Sequence, residues 1–132
     1  MSFFDKILGG ENPSNQSSLF PWIQLEQLSE LNTIEQLSRQ KAVVIFKHST
    51  RCSISKMALK QFENEYSIES SNAQLYFLDL LAHRDISNEI ASRFHIIHQS
   101  PQLLLIKNGS CVYNASHEQI SALELNKYIN QS

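Results

Sequence analysis

The sequence contains few of the residues that cross-link or bend a chain, with two cysteines, three prolines and three glycines among 132 residues. The two cysteines, Cys52 and Cys111, form neither a Cys-x-x-Cys pair nor a Cys/His ladder. This spacing argues against a disulfide-rich secreted scaffold and against a structural zinc site. No apolar run approaches the length of about 18 residues that a membrane helix needs, and the first residues lack the apolar core of a signal peptide. We therefore expect a cytoplasmic protein that does not contact a membrane.

The chain also lacks an excess of charge, because 11 Lys and Arg stand against 13 Asp and Glu, for a formal net charge of -2. No run of like charges interrupts this balance, which argues against a nucleic-acid partner. A hydrophobic content of 42% is enough for one core in a chain of this length. The balanced surface shows no apolar seam, so we expect a monomer.

The first 20 residues differ in composition from the rest. Polar residues and Pro13 dominate residues 11–18 (ENPSNQSS) and separate a short amphipathic start from the body of the chain. We assign residues 1–20 to an N-terminal amphipathic segment with a linker, and residues 21–132 to one domain.

Strand and helix patterns alternate from Trp22 onward. Residues 22–25 (WIQL) predict a short strand, and apolar residues then recur at three-residue steps between 28 and 37, which predicts a helix. The uninterrupted apolar run at 42–46 (AVVIF) is typical of a central strand that is buried on both faces. A second helix is predicted from Ser53 to Tyr66, directly after Cys52. Its broad apolar face consists of Ile54, Met57, Ala58, Leu59 and Phe62.

The second half of the chain continues the alternation. Residues 75–78 (LYFL) predict a third strand, and a helix follows that Asp85 or Ser87 could cap. Asn108 and Gly109 lie between two apolar runs, which predicts a hairpin of antiparallel strands.

The last predicted element is a helix, for which Ser116 and Gln119 resemble a capping box. The predicted order is therefore βαβαβαββα. We expect an α/β fold in which helices flank a central mixed sheet of four to five strands.

This order resembles the thioredoxin fold over residues 21–129, because a cysteine stands where the second strand meets its helix and a proline precedes the fourth strand. Four segments make the sequence similar to the YtxJ-like monothiol bacilliredoxins of the bacillithiol system. They are residues 46–55 (FKHSTRCSIS), 84–88 (RDISN), 98–102 (HQSPQ) and 116–117 (SH). The active stretch of that family usually reads Cys-Pro-Ile-Ser, whereas this chain has Ser53 at the proline position. The difference loosens the start of the helix but leaves the thiol in place.

Cys52 is the candidate catalytic nucleophile. Unpaired backbone N–H groups and the positive end of the helix dipole stabilise a thiolate at the first turn of a helix. Positive potential is also expected from four basic neighbours, which are Lys47, His48, Arg51 and Lys56. Ser55 stands where dithiol oxidoreductases have their second cysteine, and its hydroxyl could hydrogen-bond the sulfur without forming a disulfide. We therefore expect Cys52 to act as a monothiol, with Ser55 as its catalytic-site partner.

The resemblance implies that Cys52 removes bacillithiol from modified client proteins through a mixed disulfide. Because a lone thiol has no internal partner to resolve that product, an external thiol must complete the cycle. Free bacillithiol or another redoxin would restore Cys52. The expected partners are S-thiolated client proteins and a low-molecular-weight thiol, with bacillithiol as co-substrate and no bound cofactor or metal.

The thioredoxin resemblance also places Pro101 opposite Cys52 with a cis peptide bond. In that arrangement, the backbone of Ser100 would be free to pair with an extended substrate. The carboxyl ends of parallel strands share one edge of the sheet, where ligands usually bind. Five side chains are predicted to converge there, and these are Lys47, His48, Arg84, His98 and His117.

Arg84 or Lys47 could bind the carboxylates of the malate group of bacillithiol by charge-assisted hydrogen bonds. Arg51 and His48 are further substrate-binding candidates beside Cys52. His117 could bind substrate or simply begin a helix, and for each of these residues an ordinary solvated position is the alternative.

Cys111 is predicted to lie past the hairpin turn, about 15 Å or more from Cys52, if five or so strand residues separate it from Pro101. This distance exceeds the range of a disulfide, so Cys111 is expected to be a packing residue.

Two other functions fit the same motif. A Cys-x-x-Ser element can hold an iron-sulfur cluster between two subunits with an external thiol, although such proteins usually have Gly and Phe where this chain has Ser53 and Ile54. The domain could also be an adaptor without catalytic activity. A zinc site of His95, His98 and Cys52 is disfavoured, because two histidines three apart at a helix end are commoner as surface residues.

Overall fold

A computed structural model describes residues 20–68 and 71–130. The predicted N-terminal segment and linker lie outside these residues, except for Phe20. The described elements are β1 (Ile23–Gln24), α1 (Glu30–Leu37), β2 (Ala42–His48), α2 (Ser53–Glu65), β3 (Ala73–Asp79), α3 (Arg84–Arg93), β4 (Gln102–Lys107), β5 (Ser110–Ser116), a 3-10 turn (His117–Gln119) and α4 (Ala122–Ile129). The predicted order βαβαβαββα is confirmed. No helix in these ranges is long and apolar enough to cross a membrane.

The strands form a mixed five-stranded sheet in the order β1-β3-β2-β4-β5. Strand β2 lies at its centre, pairing parallel with β3 and antiparallel with β4. All seven residues of β2 are buried, which confirms the interpretation of its apolar run as a central strand. Because β2 and β3 are parallel, the turns that follow them lie at the same edge of the sheet.

Successive side chains of β2 enter two different cores, since side chains alternate along a strand. Val43 and Ile45 pack on the side of α1 and α3. Val44 and Phe46 pack on the side of α2 and α4. The fold therefore has three layers. At the end of β2, neighbouring side chains lie on opposite faces of the sheet.

The β4–β5 hairpin turns through Asn108 and Gly109, which both have positive φ angles of 53° and 80°. Two consecutive positive φ angles are the geometry that the Asn-Gly pair favours in tight hairpins. The turn is also attached to the end of α1, because the Gly109 amide donates to Ser38 Oγ at 2.8 Å and the Asn108 amide donates to the Ser38 carbonyl at 2.8 Å. The predicted hairpin is confirmed.

The predicted caps of α3 are wrong. This helix begins at Arg84, and His83 occupies the N-cap position without a capping side chain. Asp85 and Ser87 therefore lie inside the first turn, where the Ser87 amide already donates to the His83 carbonyl at 3.2 Å.

The predicted capping box of the last helix is also wrong. Ser116 precedes the 3-10 turn, and the extended backbone of Ile120 separates that turn from α4. Ser121 caps α4 instead, because its side chain accepts a hydrogen bond from the Glu124 amide at 3.2 Å.

Candidate active site

Cys52 occupies the N-cap position of α2, with extended backbone angles of φ -107° and ψ 121°. Its amide donates to the Ser49 carbonyl at 3.2 Å, and its carbonyl accepts the first helical bond from the Lys56 amide at 3.1 Å. The residue is partly exposed. The first amides of a helix lack partners inside the helix, so the start of α2 favours negative charge at this sulfur.

Ser55 does not contact the sulfur as expected. Its side chain is fully buried, and its hydroxyl accepts from the Ser49 amide at 3.1 Å. The same oxygen lies 2.7 Å from Nδ1 of His48. No hydrogen bond joins Ser55 to Cys52, both of which lie in the part of the chain that the structure describes. Ser55 therefore fixes the turn that precedes Cys52.

His48 lies at the end of β2 and is only 5% exposed. Its ring is near the aromatic rings of Phe77 and Phe46, with centroid distances of 5.3 and 6.4 Å. Burial lowers the pKa of His48, while the charge of Asp79 opposes this shift and that of Lys56 adds to it. The ring is therefore neutral near pH 7 and does not supply the positive charge that was expected from it.

Lys47 has no exposed surface, which differs from the expectation of a cation that meets a substrate carboxylate at the surface. Its Nζ lies 2.6 Å from Nδ1 of His98 and donates to Oε1 of Gln102 at 3.2 Å. Burial lowers the pKa of Lys47 to about 8. The amine is thus still mostly protonated at pH 7, and its described hydrogen-bond partners are the exposed His98 and the buried Gln102.

Gln102 connects this amine to the loop of residues 97–102. The Gln102 side chain is 1% exposed, and its Oε1 also accepts from the Gln99 amide at 3.2 Å. Its Nε2 donates to the Ile97 carbonyl at 3.1 Å. The loop is therefore bound from within at both of its ends.

The predicted cis peptide bond between Ser100 and Pro101 is confirmed. Pro101 is buried and Ser100 is partly buried. The carbonyl of Pro101 accepts from the His117 amide at 3.2 Å. His117, whose φ is 56°, thereby joins the loop to the turn that follows β5.

His98 lies between the buried Lys47 and the start of α3. Its Nδ1 is also 3.3 Å from Oγ of Ser87. Partial burial lowers the pKa of His98, and the charges of Lys47 and then Arg84 lower it further. Arg84 is exposed as the first residue of α3, and Arg51 is exposed directly before Cys52. The structure therefore brings Lys47, His98 and Arg84 together.

The apolar face of α2 is only partly covered. Phe62 is buried as expected, but Ile54 and Met57 are 55% and 71% exposed. They line an open groove whose opposite wall contains His117 and Ile120. Helical periodicity marks apolar positions without showing which of them the fold covers, so the exposure of these two residues was missed.

Cys111 lies beside the hairpin turn, where it pairs with Ile106 in the β4–β5 register. It is half-buried and packs against the core on the α1 and α3 side. Its Sγ is 3.4 Å from the Tyr113 carbonyl, and burial raises the pKa of this thiol. Both cysteines are free, and Cys111 has the environment of a packing residue.

Both histidines considered for zinc follow the end of α3. His95 adopts a positive φ of 58°, whereas His98 faces Lys47. Within residues 20–68 and 71–130, no group of three or more His, Cys, Asp or Glu side chains is placed to hold a metal ion.

Comparison with known proteins assigns the family. Residues 23–125 match the family model described as monothiol bacilliredoxin BrxC. The chain belongs to this monothiol bacilliredoxin family. The match includes the β2–α2 junction with Cys52, the 97–102 loop and the 3-10 turn.

Solved structures agree with the fold of this bacilliredoxin. One is described as an oxidoreductase with a thioredoxin fold, and it is similar at a TM-score of 0.71 and 28% identity over 88% of this chain and 97% of that one. A thioredoxin from Malassezia sympodialis has a TM-score of 0.63 and 20% identity, covering 82% of this chain and 87% of its own. Mitochondrial thioredoxin 3 from Saccharomyces cerevisiae has a TM-score of 0.60 and 21% identity, covering 82% and 92%. The bacilliredoxin domain therefore has a thioredoxin fold.

This family and fold support thiol-disulfide oxidoreductase chemistry in general. Among the described residues of this bacilliredoxin, Cys52 is the one cysteine that lies at the start of a helix, and its side chain is partly exposed. A serine cannot form a disulfide, so Ser55 offers Cys52 no intramolecular partner.

Proposed function

We propose that this protein removes bacillithiol from S-bacillithiolated proteins by thiol-disulfide exchange at Cys52, as a YtxJ-like member of its family. The observation that carries the proposal is the position of Cys52, partly exposed at the N-cap of α2 with a buried serine in place of a second cysteine. A helix start favours a thiolate, and the thiolate is the form that attacks disulfides.

The reaction requires two exchanges. In the first, the Cys52 thiolate attacks the bacillithiol sulfur of the client mixed disulfide, whose S–S bond breaks and releases the client thiolate, which takes up a proton. In the second, the thiolate of free bacillithiol attacks the bacillithiol sulfur now bonded to Cys52. Bacillithiol disulfide forms and Cys52 leaves as a thiolate. The free bacillithiol thiol is oxidised and supplies the reducing equivalent that returns the client cysteine to a thiol, whereas the bacillithiol from the client stays at the oxidation level of a disulfide.

The client would bind along the 97–102 loop. No backbone hydrogen bond outside the helices and strands of the described residues involves Ser100. Its amide and carbonyl can therefore pair with an extended client segment beside Pro101, in the manner of strand addition. The exposed apolar side chains of Ile54 and Met57 would contact the same segment on the opposite side of Cys52.

The bacillithiol moiety would be held by exposed cations. Arg84 carries a permanent charge at the start of α3 and is close enough to lower the pKa of His98. We propose Arg84 and Arg51 as partners for the malate carboxylates, since guanidinium groups bind carboxylates through two hydrogen bonds. His117 would border the site beside Pro101. Bacillithiol acts here as co-substrate, and the protein works as a monomer without a bound cofactor.

The experiment uses one client protein that carries bacillithiol, glutathione or coenzyme A on the same cysteine. Mass spectrometry follows release of each thiol and its appearance on the full-length protein. We expect fastest release of bacillithiol, loss of release in Cys52→Ser, and retention of release in Cys111→Ser as the matched control. Equal release of all three thiols would contradict the choice of bacillithiol, and release that persists in Cys52→Ser would contradict the mechanism.

A further inference from the structure

Lys47 is unusual among the described lysines because its amine is completely buried without a carboxylate partner. Its side chain has no exposed surface, and its described polar contacts are His98 and Gln102. Among the described residues, no ion pair joins Lys47 to Asp or Glu. The salt bridges of this part of the chain are formed by Arg93 and Lys127. A buried cation without a counter-charge is unfavourable for folding, so a purely structural role would be served better by an apolar side chain of similar length.

The contacts of Lys47 all lead to one short segment. Its amine reaches His98 directly and reaches Gln99 and Ile97 through the two ends of the Gln102 amide. These hydrogen bonds therefore involve residues that precede the Ser100–Pro101 bond, Ile97 to Gln99, and Gln102, which follows it. Lys47 itself belongs to the fully buried central strand β2, which makes it a rigid point of attachment.

We propose that Lys47 is a positioning residue that holds the 97–102 loop from inside the fold and so aligns the client-binding backbone at Ser100 with Cys52. The amine donates to His98 Nδ1 and Gln102 Oε1, and Gln102 then binds the loop amide and carbonyl. Lys47 does not contact the substrate. The part that concerns the client rests on the proposed function, whereas the order of the loop can be measured without it.

The test compares Lys47→Met with Lys60→Met, which removes the charge of an exposed lysine on α2. In Lys47→Met we expect amide hydrogen exchange at Gln99 to accelerate by about tenfold, because Gln102 is no longer held by the amine. We expect KM for the bacillithiolated client to rise by about tenfold with kcat changed less than twofold. Alkylation of Cys52 by iodoacetamide should keep its rate, because this small reagent does not use the loop. Lys60→Met should match the wild type in all three measurements.

Each result has a defined meaning. Unchanged exchange at Gln99 in Lys47→Met would overturn the positioning role, whatever the activity. Equal slowing of Cys52 alkylation and client reduction would also overturn it, because Lys47 would then act on the nucleophile. A wild-type protein that releases no bacillithiol would defeat the proposed function, yet the Gln99 measurement would still decide the loop role. If Lys47→Met does not fold, Lys47→Gln keeps a polar side chain at this position without the length of the lysine and leaves the Gln99–Gln102 hydrogen bond in place, and it is expected to give the same acceleration at Gln99.

Discussion

Replacement of Lys47 by methionine removes a charge that is costly to bury. The free energy of unfolding of Lys47→Met, compared with that of the wild type, is therefore expected to be more favourable at pH 7 than at high pH, where the wild-type amine is neutral. Burial lowers the pKa of Lys47 from 10.5 to about 8. The unfolded chain therefore binds more protons than the folded protein between these two values. Stability then rises with pH across this window, since unfolding must take up a proton.

The expected magnitude follows from the size of that change. One pKa unit corresponds to about 1.36 kcal/mol, so the wild-type protein should gain about 3 kcal/mol in its free energy of unfolding between pH 7 and pH 10.5 from this group. Lys47→Met lacks the group and lacks this gain. The difference in stability between the two proteins should therefore move by about 3 kcal/mol in favour of the wild type over the same range.

Urea denaturation at pH 7, 8, 9 and 10.5 measures this difference. Burial raises the pKa of Tyr66 and of Cys111, but both proteins contain these groups, so their contributions cancel in the comparison. A stability difference that stays constant within about 0.5 kcal/mol across the series would refute the reasoning, because the buried amine would then have the same proton affinity in both states.

Three further predictions concern the turn before Cys52, the hairpin turn and the alternative of an iron-sulfur cluster carrier. Ser55→Ala should lower the free energy of unfolding by about 1–3 kcal/mol, because the partly buried Ser49 amide loses its acceptor. Substitution of the exposed Ser53 by alanine should change it by less than about 0.5 kcal/mol, and equal effects of the two substitutions in urea denaturation would argue against this role of Ser55. Gly109→Ala should lower the free energy of unfolding by about 1–2 kcal/mol in the same assay, since φ is 80° at this position and a Cβ would lie 3.2 Å from the Arg39 guanidinium. An unchanged denaturation midpoint would count against a turn with positive φ. Anaerobic reconstitution with iron and sulfide should produce no visible absorption, and a band that disappears in Cys52→Ser would favour the cluster carrier instead.

Most of the fold could be predicted because its signals are local. The apolar run at 42–46 has no polar residue to place at a surface, so it predicts a central strand by itself. Asn108 and Gly109 specify a tight turn through their tolerance of positive φ. The predicted position of Cys52 needs only the end of that strand and the start of the next helical period.

The errors arise where a local signal has several outcomes. Ser116 and Ser121 are both serines that precede a helical pattern, and the side chain that caps α4 belongs to Ser121. Ile54 and Met57 satisfy helical periodicity equally well whether the fold covers them or not. Which serine caps and which apolar face stays exposed depend on packing against other elements, which the periodicity of one segment does not contain.

The environment of Lys47 could be predicted only in part. Alternation along β2 places it on the same face as Val43 and Ile45, so its direction follows from the sequence. Its partners His98 and Gln102 are 51 and 55 positions away, and their approach depends on the path of the chain through α3. A lysine at the end of an apolar strand is usually solvated, so the composition of the segment favoured the wrong environment.

Because the charge of Lys47 lowers the pKa of His98, titration of His98 tests in solution whether the two side chains are neighbours. Burial lowers the pKa of His98, and the nearby charges of Lys47 and Arg84 lower it further. Lys47→Met removes one of these charges, so the pKa of His98 should rise, and Arg84→Gln should raise it by a smaller amount. Titration of the histidine ring protons by NMR measures both shifts in the full chain.

His48 serves as the internal control for this titration. Its pKa is lowered by burial, with contributions from Asp79 and Lys56 rather than from Lys47. In Lys47→Met, the His48 titration should therefore stay in place while that of His98 moves upward. If both histidines move together, the substitution has loosened the end of β2 as a whole. If neither moves, the amine and the ring are not neighbours in solution, and the hydrogen bond from Lys47 to Gln102 is then the remaining described contact between this amine and the 97–102 loop.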